Sequence, residues 1–448
     1  AARYSPRRVS APVPLAGVRG LEWPPIPGPA GAAMLALQWQ LERSQWLSAE
    51  NVRSAQSRQL GLLLEHAARN VPRYRGLAPE RFADWPVLRA AEARADPASL
   101  FALRYPKEHG RLVETQTTGS TGQPFRVFHT EAAQFFSHGM VIRDHLLHEW
   151  ELSLKLATTL GKLKRGAQPG WGLMNGVFPT GPAVTLGTAE GVEAQLSWLI
   201  AERPAYLIAH AANLRALLLH SRASGRAPAG LRQLLSHAGT LPPDVPALAR
   251  ALWGAKVVDV YSTEEFGPIA SQCPAGERYH VHAEHVLVEV VREDGTPCEP
   301  GETGRVLVTA LQNFAMPLIR YDVGDYAQAC EPCPCGRGLP TLGRIAGRAR
   351  NMFRAPDGRT FFPAMAADVW LDIAPLRQFR LVQGSLDCLT LHYAMDRELT
   401  AYERSALAAE IGGRFGYPYR FEFVRVDSLP REPGEKFEDF LCLVEPPW

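Results

Sequence analysis

Apolar residues recur at helical spacing in the first ordered part of the chain. Between residues 33 and 72 they lie three or four positions apart, as Leu60 and Leu64 do, and the pattern stops before Pro72. This spacing places apolar side chains on one face of a helix, which a proline does not continue. We therefore predict helices over 33–72, preceded by a loosely ordered arm over 1–32.

From about residue 111 to 345 the pattern alternates between strands and helices. An apolar run at 205–209 is typical of a buried strand, and a helical pattern follows at 213–220. A second such strand, 256–261, comes directly after a helical segment. This alternation predicts parallel strands joined by crossover helices, the pattern of an α/β fold.

The pattern of apolar and polar residues changes again after about residue 350. The pattern predicts a hairpin at 378–395, a helical segment near 399–413 and then a short strand. These elements predict a compact α+β unit. We therefore divide the chain into a core domain, 33–348, and a small C-terminal domain, 349–448.

Length, charge and cysteine usage narrow the class of protein. The chain has 448 residues, and about 150 residues per domain predicts two or three domains. A net charge of only +2 argues against a nucleic-acid-binding protein. No apolar stretch approaches the roughly 18 residues of a membrane span, and seven cysteines, an odd number, favour a reducing compartment. We expect a cytoplasmic monomer or homodimer that binds neither nucleic acid nor membrane.

A loop rich in glycine and hydroxyl residues is the first candidate for chemistry. Glycines let a backbone approach a ligand closely, and hydroxyl and amide groups can surround phosphate oxygens. No Gly-Lys-Ser/Thr follows, so this is not a Walker motif, and alone it is equally compatible with a polar turn. The loop consists of Thr117, Thr118, Gly119, Ser120, Thr121 and Gly122.

Two glutamates, Glu264 and Glu265, follow Tyr261 at the end of the predicted strand 256–261. Ligands of open parallel sheets bind at the carboxyl ends of strands, where a carboxylate can hold Mg²⁺. For one of the two glutamates, a solvated loop position is the better interpretation.

Three further residues lie in motifs that are unremarkable alone. Asp325 follows a glycine, as turn aspartates do, but its carboxylate can also accept hydrogen bonds from a ribose diol. Arg348 lies at the predicted domain boundary, and Lys436 lies in a loop rich in proline and glycine.

In this order, the five motifs resemble the adenylate-forming superfamily of acyl-CoA synthetases, peptide-synthetase adenylation domains and luciferases. The phenylacetate–CoA ligase-like branch is the most similar, and the resemblance runs from residue 71 to the lysine loop. It implies a large N-terminal domain with mixed sheets and crossover helices and a mobile C-terminal lid. It also implies ATP, Mg²⁺, a small carboxylic acid and coenzyme A as ligands.

The resemblance gives each motif a role. The loop 117–122 would surround the phosphates of ATP, Glu265 would hold Mg²⁺, and Lys436 would reach the acyl-adenylate as a catalytic residue. Asp325 would bind the ribose hydroxyls with help from Arg348, and Tyr261 would lie in the same nucleotide site. The acid pocket is expected between the regions 136–149 and 237–265, and an aryl acid is suggested by analogy.

This sequence departs from the family pattern at three positions. The phosphate loop commonly ends in Pro-Lys, but here Pro124 is followed by Phe125 and then Arg126. Glu264 replaces a threonine or serine, and Arg350 replaces the hinge aspartate. Two alternatives therefore stay open. One is an adenylating enzyme whose acceptor is a carrier protein or an amine, and the other is a non-catalytic protein that binds a nucleotide or an acid.

A group of cysteines and histidines predicts a structural zinc site. Cys333 and Cys335 present two thiols on a turn, and Cys273 and His280 lie upstream. Four such ligands in tetrahedral array are the usual structural zinc arrangement, and the resemblance implies a similar metal-binding set. Cys330 is an alternative ligand, and His282 is an alternative to His280. Buried free thiols are the competing interpretation.

Overall fold

The computed structural model of the protein describes residues 12–116, 125–161, 163–363, 365, 367–429 and 438–444. Within these residues the chain forms nine α-helices and 21 β-strands. The predicted phosphate loop and Lys436 lie outside the described residues, so their roles stay predictions.

The helices are α1 (Pro29–Ser44), α2 (Ala49–Asn70), α3 (Ala90–Ala95), α4 (Glu131–Leu147), α5 (Val192–Glu202), α6 (Ala211–Ser224), α7 (Val245–Trp253), α8 (Ala367–Ile373) and α9 (Ala401–Phe415). The strands of the first half are β1 (Leu88–Arg89), β2 (Leu112–Gln116), β3 (Arg126–Thr130), β4 (Leu156–Leu160), β5 (Gly166–Gln168), β6 (Ala183–Gly187), β7 (Tyr206–His210) and β8 (Gln233–His237). Those of the centre are β9 (Lys256–Thr263), β10 (Gly267–Gln272), β11 (Tyr279–Val281), β12 (Val286–Val291), β13 (Thr303–Ala310), β14 (Tyr321–Ala329) and β15 (Thr341–Arg348). The C-terminal strands are β16 (Phe353–Arg354), β17 (Thr360–Phe361), β18 (Gln378–Ser385), β19 (Cys388–Ala394), β20 (Arg420–Arg425) and β21 (Phe440–Cys442).

A mixed sheet of 13 strands organises the larger part of the molecule, in the order β12-β13-β14-β15-β11-β10-β9-β8-β7-β4-β6-β5, with β1 paired to β14. The run β6-β4-β7-β8-β9 is parallel. From β9 to β12 the pairs are antiparallel. The predicted α/β fold with mixed strands and crossover helices is therefore confirmed.

Crossover helices cover the parallel part of this sheet, because α5, α6 and α7 each connect two of its strands. The helices bury fully enclosed leucines such as Leu196, Leu214 and Leu217 against the strands. The strand predicted at 205–209 is β7, and the predicted helix after it is α6. Parallel strands need such connections because the end of one strand and the beginning of the next lie at opposite edges of the sheet.

The two helices predicted over 33–72 are α1 and α2. α2 begins after Ser48, whose side chain accepts a hydrogen bond from the backbone N–H of Asn51, a usual helix start. α1 begins at Pro29, inside the predicted arm, because proline suits the first helical turn, where no N–H is required. Residues 29–32, which were predicted to lie in the arm, therefore belong to α1. None of the described helices has the length and apolar character that crossing a membrane requires.

The C-terminal part has its own sheet, ordered β20-β19-β18-β21, and its own apolar core. Trp370, Leu407 and Ile411 are fully buried there. α9 begins with a reciprocal capping box between Thr400 and Glu403 and ends at a glycine in left-handed conformation. The predicted hairpin at 378–395 is the pair β18–β19.

Candidate functional site

Three of the predicted site residues, one each from β9, β14 and β15, meet in space. The hydroxyl of Tyr261 donates a hydrogen bond of 3.0 Å to Oδ2 of Asp325. Nε of Arg348 lies 3.5 Å from Oδ1 of the same carboxylate. Asp325 and Arg348 are direct partners across the antiparallel pair β14–β15, so the sheet register itself brings the two side chains together.

Burial and the neighbouring carboxylate of Asp325 both raise the pKa of Tyr261. The phenol therefore stays protonated and acts as a donor at neutral pH. With one carboxylate oxygen held by Tyr261 and the other beside Arg348, Asp325 has a fixed orientation. A carboxylate fixed in this way is suited to accept hydrogen bonds from a diol.

A cavity of about 130 Å³ opens beside this triad, and we call it cavity I. Tyr261, Asp325 and Arg348 line it, together with Asp259 and the segment 438–440 of the C-terminal part. Its walls therefore come from both parts of the chain.

Glu265 lies on the turn between β9 and β10 and lines a larger cavity of about 730 Å³, cavity II. The hydroxyl of Tyr321 lies 3.4 Å from its Oε1 and donates to it. Burial raises the pKa of Glu265, while hydrogen bonding to Thr263 and the charge of Arg348 act in the opposite direction. A cation beside it would favour the ionised form. Glu264 is the exposed member of the pair.

Cavity II lies between the two chain regions predicted to enclose an acid. Val141 on α4 forms one side, and Leu235 and Val260 on β8 and β9 form the other. Two further lining residues, Asp144 and His145 on α4, were not singled out from the sequence. Their signal was a pair of polar residues on the buried face of a largely apolar helix.

Two departures from the family pattern have structural partners. The ring of Phe125 is buried and stacks on Tyr321, with ring centroids 6.5 Å apart and 10° between planes. Phe125 therefore packs against the tyrosine that contacts Glu265. Arg350, in place of the hinge aspartate, donates a hydrogen bond of 2.7 Å to Oε1 of Glu438.

A buried ion-pair group joins the core to the C-terminal part, and sequence reasoning missed it. Nε of Arg215 on α6 lies 3.0 Å from Oδ2 of Asp244, and both side chains are 4% exposed. The same guanidinium pairs with Asp439 and donates a hydrogen bond of 3.1 Å to the carbonyl of Met365. Nothing in the local sequence around Arg215 indicates these partners, because they come from distant segments.

The predicted metal ligands form one cluster. The ligand atoms of Cys273, His280, Cys333 and Cys335 all lie within 4.8 Å of one another. Sγ of Cys333 is 3.7 Å from Sγ of Cys273, and Sγ of Cys335 is 3.3 Å from Nε2 of His280. Zinc bonds of about 2.0–2.3 Å to nitrogen and sulfur put tetrahedral ligands about 3.3–3.8 Å apart. The residues therefore fit a zinc ion.

The structure also distinguishes the alternative ligands. His282 faces away from the thiols, with Nε2 3.3 Å from Oδ1 of Asp144. Among the described residues, the cluster of close ligand atoms includes neither His282 nor Cys330. Burial, followed by the charge of Arg337, lowers the pKa of His280 to about 4. A neutral imidazole is the form that binds a metal.

The chain is similar to known enzymes in sequence and in fold. No family model matches the chain. It is 28% identical to a phenylacetate–CoA ligase of Thermus thermophilus over 328 residues, which cover 68% of this chain and 72% of that protein. It is 24% identical to a phenylacetate–CoA ligase of Escherichia coli over 438 residues, which cover 88% and 96%.

Among solved structures, a 2-hydroxyisobutyryl-CoA ligase in its postadenylation state matches with a TM-score of 0.72. The match is 19% identical and covers 90% of this chain and 91% of that one. The predicted resemblance is therefore confirmed: the chain is similar in sequence to phenylacetate–CoA ligases and has the fold of acyl-CoA ligases of the adenylate-forming superfamily.

Proposed function

We propose that the protein is an ATP-dependent acid–CoA ligase. In the first half-reaction, an oxygen of the substrate carboxylate bonds to the α-phosphorus of ATP. The bond to the β-phosphate breaks, and pyrophosphate leaves. In the second, the thiol of coenzyme A loses its proton and bonds to the acyl carbon, and AMP leaves with the electron pair of the broken C–O bond.

The observation that carries this proposal is the Tyr261–Asp325–Arg348 triad at cavity I, beside Glu265 at cavity II. The oriented carboxylate of Asp325 would accept hydrogen bonds from the ribose hydroxyls of the nucleotide. The adjoining cavity II would hold the acid, so that the carboxylate and the α-phosphate meet near Glu265. Catalysis of this kind depends chiefly on positioning and on compensation of charge.

Mg²⁺ and zinc are the metals that these residues would hold. Mg²⁺, bound at Glu265, would neutralise phosphate charge, and it prefers such oxygen ligands. Zinc at Cys273, His280, Cys333 and Cys335 would have a structural role, because four protein ligands leave no open position. Lys436 is proposed, from the family resemblance, to act on the adenylate from the C-terminal lid.

Coenzyme A is the proposed acceptor because the similar proteins are CoA ligases by name. A carrier-protein thiol or an amine is the alternative acceptor. A non-catalytic protein that binds a nucleotide or an acid is the second alternative, which the departures at Phe125 and Arg350 favour.

The central test is pyrophosphate release with ATP, Mg²⁺ and a panel of aryl and aliphatic acids. The wild type should release pyrophosphate with at least one acid, and Glu265→Gln should lose this activity while keeping its melting temperature. Glu264→Gln tests the exposed neighbour, which also lines cavity II, and a loss of activity in this variant instead would move the metal role to Glu264. Near-normal turnover of Glu265→Gln would remove the proposed metal role, and the absence of pyrophosphate release with every acid would refute the enzyme.

A further inference from the structure

One face of α4 runs along cavity II from its reacting end to its remote end. Ser137, Val141 and Asp144 line the cavity from this helix, at spacings of four and three residues. Such residues share a helix face. A rise of 1.5 Å per residue separates Ser137 from Asp144 by about 10 Å along the axis.

Ser137 marks the reacting end, because Oγ of Ser137 lies so close to Gly267 that a methyl group there would collide with it. Gly267 is two residues after Glu265. Asp144 therefore marks the end of the cavity remote from the carboxylate of the bound acid. An aryl acid with a substituent opposite its carboxylate arm would span this length.

Asp144 is a buried anion at this end of the cavity, because burial acts to raise its pKa but the charges of His282, His148 and Arg143 together lower it. Its side chain is 3% exposed, and Oδ1 has no hydrogen-bond partner among the described residues. Nε2 of His282 lies 3.3 Å away without the alignment of a hydrogen bond. The neighbouring Arg143 instead donates a hydrogen bond of 2.9 Å to Glu284. An ionised carboxylate has lone pairs on both oxygens, so Asp144 can accept a further hydrogen bond from a donor on the ligand.

His145 adds a second acceptor to the same end of the cavity. Its Nδ1 lies 2.8 Å from the backbone carbonyl of Val141, so Nδ1 carries the proton and donates it. Burial lowers the pKa of His145, which leaves the ring neutral and Nε2 with a free lone pair. In the described part of the chain, no residue hydrogen-bonds to this nitrogen.

We infer that the acid bound in cavity II carries an N–H or O–H donor at the end opposite its carboxylate, and that Asp144 and His145 recognise this donor. This inference rests on the proposed function and specifies its substrate class as an amino- or hydroxy-substituted acid. The walls between the two ends, formed by Val141, Leu235 and Val260, are apolar. They suit a hydrocarbon ring or chain in the middle of the molecule.

Matched acids test this inference on the wild-type protein. 4-Aminophenylacetate and 4-methylphenylacetate have nearly the same size and differ in the donor, as do 4-hydroxyphenylacetate and 4-fluorophenylacetate. We expect the donor-bearing member of at least one pair to have the higher kcat/KM for pyrophosphate release, by about tenfold or more. Equal values, or a preference for the donor-free acids in both pairs, would overturn the inference.

Asp144→Leu tests the residue itself, because leucine has a similar shape and no acceptor. The ratio of kcat/KM between the amino and methyl acids should fall by about tenfold. Leu235→Ala, on the opposite wall, should change kcat/KM for both acids by a similar factor, so that the ratio of the two values stays the same. An unchanged ratio in folded Asp144→Leu refutes the role of Asp144, and the wild-type comparison decides the substrate class even if this variant does not fold.

Binding separates this inference from the proposed function. The rise in melting temperature of the wild type with each acid requires no turnover. The melting temperature could rise more with 4-aminophenylacetate than with 4-methylphenylacetate while no acid gives pyrophosphate release. That result would support the recognition site and refute the proposed ligase activity. Pyrophosphate release without any preference for donor-bearing acids would support the ligase activity and refute the recognition site.

Discussion

The hydroxyl of Tyr261, on the last parallel strand, donates a hydrogen bond of 3.0 Å to Asp325 on the antiparallel part of the same sheet. These residues are 64 positions apart in the chain. In the order of the 13-stranded sheet, β15, β11 and β10 lie between their strands, β14 and β9. The proposed nucleotide site therefore depends on correct assembly of the whole sheet.

Tyr261→Phe should weaken binding of ATP without unfolding the protein. A hydrogen bond to a charged group contributes about 1.5–3 kcal/mol, so KM for ATP should rise by about tenfold or more. Steady-state kinetics with varied ATP measures this. Tyr393→Phe is the matched control, because its hydroxyl bonds Glu398 within the C-terminal part. An unchanged KM for ATP in Tyr261→Phe would show that Asp325 needs no support from the phenol.

The cysteine and histidine cluster should contain about one zinc ion per chain, as a closed four-ligand site does. Cys335→Ser should lose the metal and lower the melting temperature before it affects catalysis, because metal binding in such sites is coupled to folding. Elemental analysis and thermal melting provide the two measurements. Cys388→Ser serves as the control, since Cys388 is buried outside the cluster. Metal-free wild-type protein with an unchanged melting temperature would contradict the zinc site.

Lys436→Ala should slow adenylate formation and largely spare transfer from a supplied acyl-adenylate. An ammonium group in a water-poor site stabilises developing negative charge by a few kcal/mol, which corresponds to roughly a hundredfold in rate. The two half-reactions are measured separately by pyrophosphate release and by thioester formation. Equal losses in both would indicate a structural role, and no loss in either would indicate a surface charge.

Asp439→Asn should shift the position of the C-terminal part. The ion pair of Asp439 with Arg215 lies beside cavity I, close in sequence to Lys436. Its weakening should therefore slow pyrophosphate release, by about tenfold for a charged hydrogen bond, more than thioester formation.

Asp372→Asn is the control for this ion pair. Arg222 and Asp372 also pair across the two parts, but their side chains are 39% and 72% exposed, and such pairs contribute little, about 0–1 kcal/mol. If both variants behaved alike, burial of the Arg215 group would have no special role in domain position.

The stability of the protein should contain a pH-dependent contribution from Asp259. Burial raises its pKa from 3.8 to about 6, although Tyr279 donates a hydrogen bond of 2.8 Å to it. At a pH between these two pKa values, the carboxyl group of Asp259 is ionised in the unfolded chain and still protonated in the folded chain. Unfolding therefore releases a proton, and stability falls as pH rises through this window.

Asp259→Asn removes this titration. Its free energy of unfolding relative to the wild type should rise between pH 4 and pH 6.5, by on the order of 1–3 kcal/mol, and then level off. Denaturant unfolding at several pH values measures the difference. Asp427→Asn, at an exposed position, should show no comparable trend. A difference that stayed constant with pH would assign an ordinary pKa to Asp259.

The sequence by itself determined the elements and most of the candidate site residues. Helical periodicity, the capping residue Ser48 and the strand-helix alternation around 205–261 depend on neighbours in the chain, so they can be read locally. The pairing of Asp325 with Arg348 was suggested by the family motifs, and the strand register brings these two residues together.

Only the tertiary structure decided which polar groups share an environment. β11 ends at Val281, so His280 points to the thiols while His282, just beyond the strand, turns towards Asp144. Arg215 pairs with Asp439, which lies 224 positions further along the chain, and Asp144 faces a cavity whose other wall comes from β8 and β9. Such contacts depend on how distant segments pack, and no local pattern of polar and apolar residues encodes that packing.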